Sequence, residues 1–401
     1  MIPALPQPAV ANIPTGFGEF IVAARRHLHR NPEIGFQEHG TSAYIRRTLE
    51  ENGLQVHGPI AGTGLFVDIG GRGGRAVGYR ADIDALPAHD AKTVEYASRN
   101  PGAAHLCGHD AHTAIALGTA LLLSRRRDSL HGTIRIFFQP NEEGTPGGAV
   151  DMIRDGVLQG LEAVYAVHVD PSIRTGVYGL LTGPITASND VFRVQISAQA
   201  SGHSARPHDT VDTIWTATQI MNTLYQLVGR VTDARNPAVL TICRFQAGDA
   251  YNVIPAQVEF GGTLRATNKE DRTRLAGVIE RVAAQFAEMH GAASRVEIVR
   301  GSPPVNNDQR MVELLEATIR RLYGDAAVFR VPRPSMGAED FAHYLEHLPG
   351  ALLRVGTCSG ASTSRPLHDS HFDVDEGALA PAAVLMADAL AAHLERNIIS
   401  Q

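Results

Sequence analysis

The chain of 401 residues holds only three cysteines, and 19% of its residues are charged. Each scarcity excludes something. Cys107, Cys243 and Cys358 are too few for a disulfide framework, so each reads first as a buried thiol in a reducing cytoplasm. No run of about 18 apolar residues occurs, so no membrane span is expected. Met1 to Pro14 carries no Lys or Arg and has three prolines by Pro8; it lacks the basic start and apolar centre of a signal peptide and reads as a loose arm. A formal net charge of −6 offers nothing to nucleic acid or to an anionic membrane, so neither is expected as a partner. No low-complexity tract and no internal repeat interrupts a composition that is 44% apolar, which is a globular balance. The length suggests two domains.

Helical and strand patterns alternate from the start. Phe17 to Arg30 and Thr41 to Asn52 read as helices, the second stopped by Gly53. Leu65 to Ile69 and Ala76 to Tyr79 read as strands joined by the glycine-rich turn at 70–74, which lacks the Lys-Ser/Thr pair and following helix of a phosphate loop. Thr133 to Phe138 and Ala163 to Val169 are continuous apolar strands of the buried kind, and Thr113 to Arg127 is a helix. This order predicts a mostly parallel sheet with helices on both faces. The middle of the chain reads as strand, helix, two strands, helix, strand, the ferredoxin-like βαββαβ unit. It begins after Gly183-Pro184 and ends at Ser302-Pro303-Pro304. The expectation is therefore an α/β catalytic domain over 1–185 and 304–401, with an inserted α+β domain over 186–303. Insertion at a surface loop is a common route to a lid over a cleft.

Five segments carry chemistry, each at a strand end, a helix start or a loop near the C-terminal helix, and ligands in parallel α/β sheets bind beyond the C-terminal strand ends. Asp82 and Asp84 follow a strand at i and i+2, a spacing that puts both on one side; they can bind metal, orient a histidine or cap a turn. Cys107-Gly108-His109 places a thiol and an imidazole before a helix, both donors for zinc-like ions, whereas His112 reads as a cap or packing histidine. Glu142 and Glu143 end the most hydrophobic strand. Adjacent carboxylates there repel and are costly to desolvate unless a cation is near, and one can ligate while the other acts as a general base. His168 stands in an apolar strand end, and His368 competes with His371 in a Ser/Thr-rich loop. Cys107, His109, Glu143, His168 and His368 are too many ligands for one open tetrahedral zinc. They suit two ions about 3.5–4 Å apart that share a water or hydroxide.

These strings, with Arg80-Ala81-Asp82-Ile83-Asp84-Ala85-Leu86-Pro87, Asn252-Val253-Ile254-Pro255 and Ser335-Met336-Gly337-Ala338-Glu339-Asp340-Phe341, resemble the aminoacylase and carboxypeptidase-type metallopeptidase superfamily. Within it the chain is similar to hippurate hydrolases and indole-3-acetyl-amino-acid hydrolases, from Arg26 to the C-terminal helix. Asn141 departs from the branch, where Ala usually precedes the Glu pair, and Leu106 stands where a small residue is usual. The resemblance implies a metal-dependent amidohydrolase that removes acetyl, benzoyl or aryl-acetyl groups from N-acyl amino acids. Glu142 would be general base and acid, Asp84 would steer a ligand, and His203 of the inserted domain would stabilise the oxyanion across a homodimer. Asn252 and Arg265 would contact substrate, with Arg265 clamping a carboxylate unless it is simply a salt-bridged strand arginine. The metals would be zinc or manganese, with nickel or cobalt also fitting. A dinuclear dipeptidase and an inactive metal-binding scaffold are the rival readings; a dipeptidase needs a site for a free α-amino group.

Overall fold

The computed structural model describes residues 13–70, 74–145 and 147–395. Most of the N-terminal arm and the centre of the glycine turn at 71–73 lie outside the described residues. Internal contacts divide the chain into two units: Met1–Gly183, Asn306–Arg333 and Asp340–Gln401 form one, and Pro184–Val305 with Pro334–Glu339 form the other.

The first unit is built on an eight-stranded sheet. Its order is Val56–Ile60, Gly64–Gly70, Thr133–Gln139, Ala76–Asp82, Ala163–Arg174, Gly350–Cys358, Tyr178–Leu180, Val328–Arg330. The four strands from Thr133–Gln139 to Gly350–Cys358 run parallel, and the sheet becomes antiparallel toward Val56–Ile60. Two of these parallel strands, Thr133–Gln139 and Ala163–Arg174, are the near-continuous apolar ones expected where a sheet is buried on both faces. Four strands escape the sequence pattern: the short Tyr178–Leu180 and Val328–Arg330 at one end of the sheet, and two longer ones. Val56–Ile60 is half exposed and interrupted by glycine and proline, and Gly350–Cys358 contains Arg354 and two glycines yet lies buried in the middle of the sheet.

Helices Phe17–Arg30, His109–Ser124 and Leu379–Glu395 pack on one another. They approach closely at Gly118, where a Cβ would stand 2.6 Å from Ile21 Cδ1 and 3.1 Å from Ala383 Cβ. Leu379–Glu395 lies within the one described segment long and apolar enough to cross a bilayer, and 67% of that segment's apolar window is buried inside the fold; it is a core helix. The helix expected from Thr113 starts at His109, because Gly108 adopts a left-handed backbone and turns the chain into the helix there.

The second unit has a four-stranded antiparallel sheet in the order Ala238–Ala247, Gln257–Ala266, Asp190–Ser197, Ala293–Arg300. Burial alternates along Asp190–Ser197, so one face is packed. Helices Thr213–Val231 and Lys269–Met289 accompany this sheet; Asp212 and Asn268 accept hydrogen bonds from Trp215 N and Asp271 N at their starts. Phe192, Val194, Ile220, Leu264 and Ile279 belong to a separate core. This is the ferredoxin-like arrangement. Residues 334–339, which the sequence pattern leaves in the last part of the chain, belong here: Ser335 N donates to Ile185 O, Ala187 N to Gly337 O, and Arg265 Nη1 to Met336 O.

Candidate active site

Gly108 separates Cys107 from His109 for a physical reason. Its φ is 92°, and a Cβ there would overlap Val169 Cγ2. Only glycine lets the chain pass under the Ala163–Arg174 strand and present a thiol and an imidazole on either side of the turn. His168 comes from that strand. Glu142 and Glu143 come from the loop after Thr133–Gln139, and His368 from a loop whose backbone N donates to Leu106 O at 2.8 Å. His368 has φ 69°, an uncommon conformation for a non-glycine residue.

The five sequence-predicted ligands converge. Donor atoms of Cys107, His109 and His168 lie within 4.8 Å of one another, as do those of Cys107, Glu143 and His368, and those of His109, Glu142 and Glu143. Cys107 Sγ is 3.6 Å from His168 Nε2, and His368 Nε2 is 3.3 Å from Glu143 Oε1. His109 Nδ1 faces the Asp84 carbonyl at 3.0 Å and Asp84 Oδ1 at 3.2 Å, so in the neutral ring that a cation would require, the proton belongs on Nδ1 and the lone pair on Nε2. That Nε2 is buried, has no hydrogen-bond partner, and lies 3.8 Å from Glu142 Oε2 and 4.0 Å from Glu143 Oε1. Asp84 Oδ2 accepts the Glu143 N–H at 3.1 Å, so one carboxylate fixes both an imidazole and the acidic loop. His168 Nδ1 donates to Val169 O at 2.7 Å, leaving its Nε2 for Cys107.

Without a cation the electrostatics are unfavourable to ligation. Burial and the Glu143 carboxylate push the Cys107 thiol up to about 12, and burial with neighbouring His112 holds His168 well below the usual imidazole range. Burial also opposes charge on His109, but Asp82 and Asp84 outweigh it and hold that imidazole well above its ordinary value. His368 is raised by its bond to Glu143. A thiol, three imidazoles and a carboxylate meeting around an unsatisfied buried nitrogen fit divalent metal, whose charge would deprotonate the thiol and the imidazoles.

Asp82 and Asp84 both face His109, Asp82 Oδ2 at 3.8 Å from its Nε2 and Asp84 Oδ1 at 3.2 Å from its Nδ1, but Asp82 makes its histidine hydrogen bond elsewhere. Asp82 Oδ1 bonds His112 Nδ1 at 2.7 Å, and His112 Nε2 accepts the Val169 N–H at 2.9 Å. His112 is thus a fully buried packing histidine and not a helix cap. His371 is exposed and belongs to none of the donor groups. Asn141 takes φ 52°, which asparagine tolerates better than alanine, and its N–H donates to Glu38 Oε1 at 3.0 Å.

Sequence reasoning missed the buried polar groups behind the site, above all Arg80, Gln139 and Asp340. The local signals are Arg80 two residues before Asp82 and Asp340 within the 335–341 string, and neither shows that the two meet. His203, Asn252 and Arg265 belong to the second unit. His203 is exposed and pairs across a short antiparallel bridge with Val253, and Ser204 N donates to Asn252 O at 3.0 Å. Arg265 is half-buried on the Gln257–Ala266 strand.

The family described as Peptidase family M20/M25/M40 matches residues 78–392. The chain is 37% identical over 380 residues to an N-acetyl-L-cysteine deacetylase of Bacillus subtilis strain 168, covering 94% of this chain and 89% of that protein. It is 34% identical over 383 residues to the IAA-amino acid hydrolase ILR1-like 4 of Arabidopsis thaliana, covering 94% and 86%. Among solved structures it is similar to the Bacillus subtilis YXEP protein, described as a dinuclear metal binding peptidase from M20 family. The TM-score is 0.85 at 35% identity, over 96% of this chain and 99% of that one.

Proposed function

Since the chain belongs to peptidase family M20/M25/M40 and is a metal-dependent amidohydrolase, we propose that it removes the acyl group from small N-acyl amino acids. The names of its relatives, an N-acetyl-L-cysteine deacetylase and an N-acyl-L-amino acid amidohydrolase, support this substrate class. The observation that carries the reading is the buried, unpartnered His109 Nε2 facing Glu142 amid four further donors.

On this reading Cys107, His109, Glu143, His168 and His368 hold two divalent ions. Such ions would supply Lewis acidity and make water a competent nucleophile near neutral pH. Glu142 does the proton work: its side chain is only partly exposed and stands within reach of the donor cluster, placed to take a proton from the attacking water and return it to the leaving amine. Asp84 keeps His109 in the Nδ1–H tautomer, so that the other nitrogen faces the cluster. The second unit contributes His203 as oxyanion donor, with Asn252 and Arg265 as contacts to the amino-acid part of the substrate. The protein pairs as a homodimer through this unit. The edge strand Ala238–Ala247, bonded on one side and largely exposed, supports that pairing.

The test is a hydrolysis screen over N-acetyl, N-benzoyl and N-indoleacetyl amino acids beside the matching free dipeptides, with chelated and metal-reloaded protein. Cleavage of the acylated set, lost on chelation and restored by zinc or manganese, is the expected result. Preference for free dipeptides would replace this reading with a dipeptidase, and undiminished turnover without metal would end it.

A further inference from the structure

Arg80 is 1% exposed, and its guanidinium bonds, among others, three partners from three parts of the chain. Nε donates to Gln139 Oε1 at 2.8 Å, Nη1 to Asp82 Oδ2 at 2.6 Å, and Nη2 to Asp340 Oδ1 at 2.7 Å. All three partners are buried, so the bonds are charge-assisted and shielded from water. Each leads on to the site. Through Asp82 and His112 the frame reaches the Val169 N–H, next to His168. Gln139 ends the strand from which the Glu142 loop departs, and its Nε2 donates to Asp340 Oδ2 at 2.7 Å. The Asp340 backbone N–H in turn donates to Glu142 Oε1 at 3.3 Å. Asp340 is also tied to the chain beyond Glu142, because its Oδ2 accepts the Ala149 N–H at 3.0 Å.

We infer that Arg80 is a positioning residue for the reaction: through Asp340 it sets where the Glu142 carboxylate stands relative to the strand end that carries His168. The inference rests on the role given to Glu142 above. Arg80 acts at a distance from substrate, and its contribution is geometric. A planar fork can hold three acceptors in fixed directions, whereas a lysine ammonium keeps the charge and loses the fork. Displacement of a reacting group by about 1 Å can cost about 100-fold in rate, so a small shift in this frame is enough to be read kinetically.

The experiment uses the full-length, metal-loaded protein with an N-acetyl amino acid as substrate, comparing Arg80→Lys and Asp340→Asn with the parent. Both should lower kcat by about 10- to 100-fold with KM within about threefold. Bound metal per chain should stay at the parent level. Combined with Glu142→Gln, Arg80→Lys should add less than about a twofold further loss, because the group it acts through is already gone. A purely structural role predicts the opposite pattern. The unfolding midpoint and metal content fall, kcat per loaded chain is unchanged, and the losses in the double variant multiply; that pattern overturns the inference. Should Arg80→Lys fail to fold, the isosteric Asp340→Asn carries the same comparison. An inactive Glu142→Gln beside a fully active Arg80→Lys would refute the positioning role alone. Parent-level turnover in Glu142→Gln would remove the reading of Glu142 and this inference with it.

Discussion

Gly108→Ala should damage both folding and the metal site, and the structure gives the size of the effect. At φ 92° an alanine is in the left-handed region, which costs an L-residue about 1–2 kcal/mol. The new methyl would also overlap Val169 Cγ2, and overpacking of a tight core costs about 1–3 kcal/mol. Together these amount to about 2–5 kcal/mol against folding. The two parts can be separated. Val169→Ala removes the obstructing methyl, so the double variant should be more stable than the sum of the single losses by roughly the overlap part, about 1–3 kcal/mol. Urea unfolding of metal-free protein measures folding alone. Metal per chain then reports the site, where Cys107 and His109 flank the altered residue and should bind at least about tenfold more weakly. A Gly108→Ala loss below about 0.5 kcal/mol, or strict additivity with Val169→Ala, would show that the turn does not depend on glycine as argued.

Glu142→Gln should lower kcat by about 10²–10⁴ while bound metal, measured by atomic emission, is unchanged; parent-level turnover would take Glu142 out of the mechanism. Asp84→Asn should weaken metal affinity by about 10–100-fold in a chelator competition, since His109 loses the carboxylate that fixes its tautomer. Asp90 makes an acid-stability prediction. Burial opposes its ionisation, but bonds from His29, Lys92 and the Ser98 N–H prevail and hold its carboxyl well below the usual range. The folded state then binds fewer protons than the unfolded one. Its contribution is whole above the unfolded value of about 3.9 and is lost as pH falls toward the folded value. Asp90→Asn should therefore cost about 1.5–3 kcal/mol at pH 7, with the gap to the parent narrowing below about pH 3.9; a gap constant to the lowest accessible pH would contradict the assignment.

The donor residues were legible because their chemistry is local. A cysteine, a glycine and a histidine in a row, or two glutamates ending an apolar strand, announce themselves in a few letters. The ferredoxin-like insertion was legible for a related reason, since its strands are consecutive and alternate in burial. What was hidden depends on partners far apart in the chain. Arg80 and Asp340 are 260 residues apart, and Arg25 meets Asp110 across 85, so neither buried pair leaves a periodic trace. The Gly350–Cys358 strand was hidden because glycines and an arginine break its apolar run, although its register with Ala163–Arg174 is regular over most of its length. His112 shows the limit on single residues: its type and place leave a cap and a packing role open, and its link between Asp82 and Val169 is visible only in three dimensions.

The placement of the Gly350–Cys358 strand has a consequence for biosynthesis. A ribosome delivers Ala163–Arg174 and its earlier neighbour Ala76–Asp82 long before Gly350–Cys358, which pairs along its other side, and Leu379–Glu395 emerges last of the described helices. During that interval the nascent chain carries a sheet open on one side, with much of its oily surface uncovered. The ferredoxin-like unit, with its own core, is complete in between and can fold at once. Assembly of the larger unit, and with it the meeting of Cys107 with His368, must wait until both Gly350–Cys358 and His368 have left the ribosome.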